Sequence, residues 1–346
     1  MPQSETTMHG AEGVRTMKTL LSVEEASQRI REGAKLLIAG EEGLLAALPQ
    51  GDWIGGTTPY MMTEDGGVCS TDKVQAIELP DTVLSVKAHL YTAANLKLIP
   101  KDYKKNGFAI VIVPAFTQVH TTFAKDSSSW PEVFSQPLVG WIAGSHLDRA
   151  DTTKPKVFNG QTGESSDSKV VVLHSELDSH LAVRMNIVNL FQTGSGDVIA
   201  FPQCGFETTD CTVNGEKRNF AEYLTEKNVD TSIPMVSNYF GALVNVSLRK
   251  VDSEAGKVSF FSPVFPGVHY RFAVHIEDYP SAYQARLSIN QLWAGDPVYA
   301  CNCILNYQVA GLEGKMSGKM LGPVVFGEIA YMMLNHTLVY LTFEPK

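Results

Sequence analysis

Phe108-Ala109-Ile110-Val111-Ile112-Val113-Pro114-Ala115-Phe116 is the longest apolar candidate in the sequence, and its length decides the class of fold. A helix that crosses a bilayer needs roughly 20 consecutive apolar residues. This run is far shorter, holds the β-branched series Ile110 to Val113, and is broken by Pro114. It reads as a buried strand. Upstream, Ser22 and Glu25 have the spacing of a capping box ahead of Ala26 and Ile30, with Gly33 as the stop, which predicts a first helix. Leu36–Ala39 then reads as a short buried strand and Glu41–Leu48 as a second helix ended by Pro49, an αβα rhythm.

Further strand-like runs are Val74–Leu79, Val83–Tyr91 and Val170–His174. Asp126–Ser129 and Asn159–Ser168 read as surface loops. Asp52-Trp53-Ile54-Gly55-Gly56-Thr57-Thr58-Pro59 reads as a strand end followed by a glycine turn, where Gly55 and Gly56 let the backbone approach a ligand and Thr57 and Thr58 supply hydroxyls. A weaker copy, Gly140-Trp141-Ile142-Ala143-Gly144-Ser145, suggests two related αβ units. Beyond the linker candidate Gln192–Gly196, the runs Val198–Val213, Val236–Leu248, Lys257–Tyr270 and Tyr299–Val309 are rich in strand formers. Helices are expected near Asn219–Glu226 and Tyr279–Gln291.

The expected fold is therefore α/β in the broad sense, a mixed α+β chain of two domains. Residues 1–16 read as a polar tail, 17–194 as an αβ domain, and 195–346 as a more β-rich domain with mixed sheets and flanking helices. A length of 346 residues suits two cores of ordinary size. The formal net charge of −9 argues against a nucleic-acid groove, which needs clustered Lys and Arg. No signal-peptide pattern opens the chain, and five cysteines without a disulfide framework fit reduced thiols in the cytoplasm.

An ordered series of landmarks runs from Val213 to Leu338. It begins with Val213-Asn214-Gly215-Glu216 and Ala221-Glu222-Tyr223-Leu224, then Ile233-Pro234-Met235-Val236 and Gly241-Ala242-Leu243-Val244-Asn245-Val246-Ser247. It continues through Phe261-Ser262-Pro263-Val264-Phe265-Pro266-Gly267-Val268-His269-Tyr270-Arg271-Phe272-Ala273 and Cys301-Asn302-Cys303-Ile304-Leu305. Phe326-Gly327-Glu328-Ile329 and Leu334-Asn335-His336-Thr337-Leu338 close it. In this order the series resembles the C-terminal domain of the FIST sensory family, and Trp53–Thr58 with Val139–Ser145 more loosely resemble its N-terminal domain. The resemblance implies a module that binds small ligands, amino acids among them and haem in some bacterial members. It also implies a separate signalling partner such as a histidine kinase or chemoreceptor, because no effector domain follows. Asn306 stands where that family carries a basic residue, which weakens an anion site at that position.

The expected function is a non-catalytic sensor that holds an amino acid or other small carboxylate between its halves. Arg271 would grip the carboxylate, with Tyr270 beside it and Gly55, Gly56, Thr57 and Thr58 as the opposite wall. Cys303, Glu328 and Asn335 complete the expected ligand contacts. One alternative is a haem-based nitric oxide sensor with His336 or His269 as axial ligand. Another is a hydrolase or transferase with Cys303 or Cys301 as nucleophile, His336 as base and Glu328 as orienter. No P-loop, dinucleotide fingerprint, zinc-protease helix or serine-hydrolase elbow is present in the sequence, so no enzyme is expected and no cofactor beyond the haem alternative. His89, His120, His146, His174 and His180 show no ligand-pair spacing.

Overall fold

Glu25 N donates to Ser22 Oγ at 3.1 Å and Ser22 N donates to Glu25 Oε2 at 2.7 Å, so the capping box forms as its spacing predicts. The helix Val23–Arg31 follows and buries Ala26 and Ile30. The structure is a computed structural model that describes residues 18–346 except 151, 240 and 294, with the side chains of 290–293 left aside. The expected polar tail at 1–16 lies outside the described residues.

Among the described residues the same local unit occurs three times. Leu36–Gly40 pairs in parallel with Trp53–Thr57, across the short helix Glu42–Ala46. Gly107–Pro114 pairs in parallel with Leu138–Ala143, and the helix Gln118–Asp126 lies in that crossover. Tyr299–Cys303 pairs in parallel with Gly322–Val325, across the helix Ile304–Val309. The two Trp-Ile segments are thus equivalent in position: each is the second strand of a parallel pair. The first is not the turn that its glycines suggest. Gly55 and Gly56 sit inside a buried strand because a Cβ on Gly55 would lie 2.8 Å from Ile38 O, and one on Gly56 2.5 Å from Ile112 Cγ2. The glycines let two sheets meet. Tyr299–Val309 also differs from its reading as one strand-rich run, since the chain turns helical directly after Cys303.

Among the described residues, two six-stranded sheets use strands from both halves of the sequence. Glu328–Ala330 pairs with Leu138–Ala143 in one of them. In the other, Gly322–Val325 pairs with Tyr60–Thr63, and Leu338–Pro345 pairs along Leu181–Val188. One core joins these two sheets to the sheet of Trp53–Thr57, with Ile54, Ile110, Trp141, Tyr299 and Val339 each buried in it. Burying such a side chain is worth about 1.5–3 kcal/mol, so the C-terminal segment is integral to the first-half core.

The strands between Ile199 and Phe272 form a separate pair of sheets around their own core of Phe201, Phe220, Val258, Phe260 and Tyr270. Val244 and Val236 face outward from this inserted unit into the larger body's cores. A division at 194/195 therefore marks the entry to the inserted unit, and the chain returns to the larger body at the helix Tyr279–Trp293 and the strands after it. Strand pairing at such sequence distance leaves no local signal. The chain as a whole is a mixed α+β protein with several mixed sheets.

Gly140 tests the parallel pairing directly, because a Cβ there would lie 1.7 Å from Val111 O. Gly140→Ala should destabilise by ~3 kcal/mol or more, the top of the ordinary range for point substitutions. Gly43 lies in a helix with nothing within 4 Å of its added Cβ. Gly43→Ala should be neutral or stabilising by up to about 1 kcal/mol. Urea unfolding of the two variants beside the wild type measures both.

Candidate functional site

Cys303 ends its strand and caps the helix Ile304–Val309, so its side chain stands at the carboxyl edge of the Tyr299–Cys303 and Gly322–Val325 pair. Glu328 opens the next strand and pairs with Trp141. Both are buried. Glu328 Oε1 accepts from the backbone N of Thr337 at 3.0 Å and from its hydroxyl at 3.1 Å. Burial pushes the Glu328 carboxyl up to about 8, against the lowering effect of these Thr337 bonds. Burial, and then the neighbouring Glu328 charge, hold the Cys303 thiol well above its ordinary value.

His336 takes a left-handed backbone at φ 56° between Asn335 and Thr337. Its ring lies 4.7 Å from that of Phe191 and 5.5 Å from that of Tyr279, centroid to centroid. Burial lowers its pKa to about 4, so the imidazole is neutral. Around the same spot both His336 ring nitrogens are buried without hydrogen-bond partners, while the Tyr283 hydroxyl faces the Asn302 amide and the Cys303 thiol faces the Glu328 carboxyl. A buried polar atom costs about 1–3 kcal/mol when nothing satisfies it.

Asn335 is consumed by structure. Its Oδ1 accepts from Ser247 N at 3.1 Å, and its Nδ2 donates to Asn245 O at 3.1 Å and to Ser262 Oγ. Asn245 Nδ2 answers by donating to the carbonyls of Asn335 and His336 at 3.3 and 3.2 Å. These bonds fasten the inserted unit to the larger body.

Beside them lies a cleft of about 440 Å³. Its base is the carboxyl end of the parallel pair Gly107–Pro114 and Leu138–Ala143, with Ala115, Phe116 and Ile142. Its roof is the inserted unit, with Phe206, Arg249 and Phe260. Ile304, Phe326 and Met333 complete it, so the cleft shares its segments with the buried Cys303 and Glu328. The Arg249 guanidinium sits over the Phe116 ring, 5.1 Å from its centroid. His120, on the helix Gln118–Asp126, has its pKa lowered to about 4 by burial. Its Nδ1 accepts from Phe116 N at 3.3 Å, which leaves Nε2 facing Met333 Sδ at 3.3 Å.

The expected ligand residues separate into three places. Cys303, Glu328 and Asn335 come together with His336, although Asn335 has no free polar atom for a ligand. Thr57 Oγ1 accepts from Lys156 N at 3.0 Å and Thr58 Oγ1 donates to Val324 O at 2.7 Å, so both hydroxyls serve backbone. Gly55 and Gly56 are filled by packing. Tyr270 is in the inserted unit's core, where its hydroxyl accepts from Phe265 N at 2.9 Å. Arg271 donates to Gly196 O, and His269 is exposed on the same strand. Neither lines the cleft. The arginine that does, Arg249, lies outside every motif singled out in the sequence. It lies on the edge strand Leu248–Asp252, next to a second exposed cation, Lys250.

Residues 21–344 match a family described as "Family of unknown function (DUF6976)". No curated protein and no solved structure matches the chain. No helix among the described residues is long and apolar enough to cross a membrane.

Glu328 makes stability depend on pH with a definite sign. Its folded pKa of about 8 lies above the ordinary 4.5, so the native state holds the proton more tightly than the unfolded chain. The stabilisation is full below the ordinary value and is lost as pH rises toward 8, on the order of 5 kcal/mol over the window. Glu328→Gln keeps an oxygen for Thr337 and cannot ionise. Its melting temperature should gain on the wild type steadily from about pH 5 to about pH 8. A constant offset would show that Glu328 does not titrate there.

Proposed function

We propose, for a chain that belongs to the DUF6976 family, a non-catalytic role in binding a small molecule in the cleft between the larger body and the inserted unit. The ligand would carry a flat apolar body and an anionic group. The single observation behind this reading is the Arg249 guanidinium laid on Phe116 at the cleft mouth, above walls from Phe206, Phe260 and Phe326. An aromatic carboxylate, or an amino acid with an aromatic side chain, suits a cleft that sets Arg249 and Glu207 among apolar rings. The position supports it too, since ligands in α/β sheets favour the carboxyl ends of parallel strands.

A ligand there would touch both bodies at once. Its binding would favour one relative pose, and the exposed surface would change with it. A sensory role with output to a separate signalling protein, such as a histidine kinase or chemoreceptor, agrees with what the FIST resemblance implies. A cysteine nucleophile has one supporting observation, the burial of Cys303 beside Glu328. The chemistry runs against it: catalysis needs a thiolate, and burial beside Glu328 keeps the Cys303 thiol protonated. Haem ligation by His336 would have to displace the Phe191 and Tyr279 rings packed on the imidazole.

Thermal-shift screening with aromatic carboxylates, aromatic amino acids and aliphatic acids tests the reading. An aromatic acid at 100 times its Kd should add about 2.7 kcal/mol of stability. Arg249→Gln should weaken that acid roughly tenfold, as expected when one charge-assisted contact of about 1.4 kcal/mol is lost. A panel without effect, or an undiminished shift in Arg249→Gln, contradicts the cleft assignment.

A further inference from the structure

His174 and His89 are separated by a long stretch of sequence, yet the fold puts them on one face of one sheet. Val170–Leu177 runs antiparallel to Val83–Tyr91, with His174 opposite Lys87 and Val172 opposite His89. Side chains alternate along a strand, so His174, His89 and Tyr91 all point the same way. The two imidazoles are diagonal neighbours, with ring centroids 5.8 Å apart. The 3₁₀ turn Leu96–Asp102 then brings Asp102 over that face.

One nitrogen from each histidine and one carboxylate oxygen of Asp102 lie within 4.8 Å of one another. His89 Nδ1 is 3.4 Å from Asp102 Oδ2. That matches the separation of two ligands on a tetrahedral ion with bonds of about 2.1 Å, which is about 3.4 Å. The Tyr91 hydroxyl lies in the middle of the set, 2.5 Å from Asp102 Oδ2, 2.9 Å from His174 Nε2 and 3.5 Å from His89 Nδ1. Its one proton goes to Asp102, so His174 must donate from Nε2. Consistent with that tautomer, His174 Nδ1 has no partner.

We propose that His89, Asp102 and His174 form a binding site for a first-row divalent transition-metal ion. Two imidazoles and one carboxylate are a donor set that such ions accept, whereas magnesium and calcium prefer oxygen alone. Two of the donors, His174 and Asp102, are ready in their protonation. Burial lowers the His174 pKa to about 4, leaving neutral imidazole. Burial raises Asp102, but the Tyr91 hydrogen bond and the nearby imidazoles outweigh it and keep the carboxyl below its ordinary value. His89, Tyr91 and Asp102 themselves line a surface cleft, together with Asn159, Glu164 and Lys169. The ion displaces the Tyr91 hydroxyl from the centre and moves the His174 proton from Nε2 to Nδ1. Both changes oppose binding and weaken the site.

Cobalt(II) titration of the chelator-treated full-length chain, followed by visible absorption, with zinc(II) calorimetry in parallel, provides the test. The wild type should bind one ion. His89→Gln, at a part-exposed position, should keep the melting temperature and bind at least roughly tenfold more weakly. Tyr91→Phe, which removes the competing hydroxyl, should bind more tightly. Absence of stoichiometric binding by the wild type, or unchanged affinity in His89→Gln, overturns the proposal.

Discussion

The carboxyl of Glu328 closes this fold. Its Oε1 takes two hydrogen bonds from Thr337, and in doing so fixes the turn that carries the chain into its last strand. An ionised carboxylate at such depth would carry a large desolvation cost with no cation beside it. Remaining a neutral acid removes most of that cost and still supplies an acceptor. The turn it fixes has two further duties. Asn335 stitches the inserted unit to the larger body, and the Thr337 carbonyl receives the amides of Cys303 and Asn306.

Everything proposed for the cleft depends on that closure. The last strand, Leu338–Pro345, lies between Leu181–Val188 and Tyr299–Cys303, so the inserted unit leaves and re-enters a body whose two parts are already paired. Its roof over the cleft is held from below by the Asn335–Asn245 exchange. Ile304, Phe326 and Met333, which complete the cleft, flank the same buried cluster. A change at the roof is therefore mechanically adjacent to Glu328.

The sequence was legible where the physics is local. Ser22 with Glu25, the Asn219 cap of Phe220–Glu226 and the Ile110–Val113 run each specify their element through neighbours a few residues away. Cys303, Glu328 and His336 stand in motifs that the sequence shows, but only the fold sets Cys303 beside Glu328. Legibility ended where sequence distance grew. Gly55-Gly56 reads as a turn until Ile112 from another sheet is known to press on it. Arg271 looks like a carboxylate ligand because its strand neighbours are motif residues, yet its guanidinium turns to Gly196. His174 and His89 have no ligand spacing along the chain, and only the antiparallel register makes them neighbours.

Isotope-edited infrared spectroscopy on chains with ¹³C-labelled glutamate, taken as wild type minus Glu328→Gln at pH 7, reads the state of this carboxyl directly. The expected spectrum shows the C=O stretch of a protonated acid, fading as pH passes about 8. Carboxylate bands alone at pH 7 would contradict it.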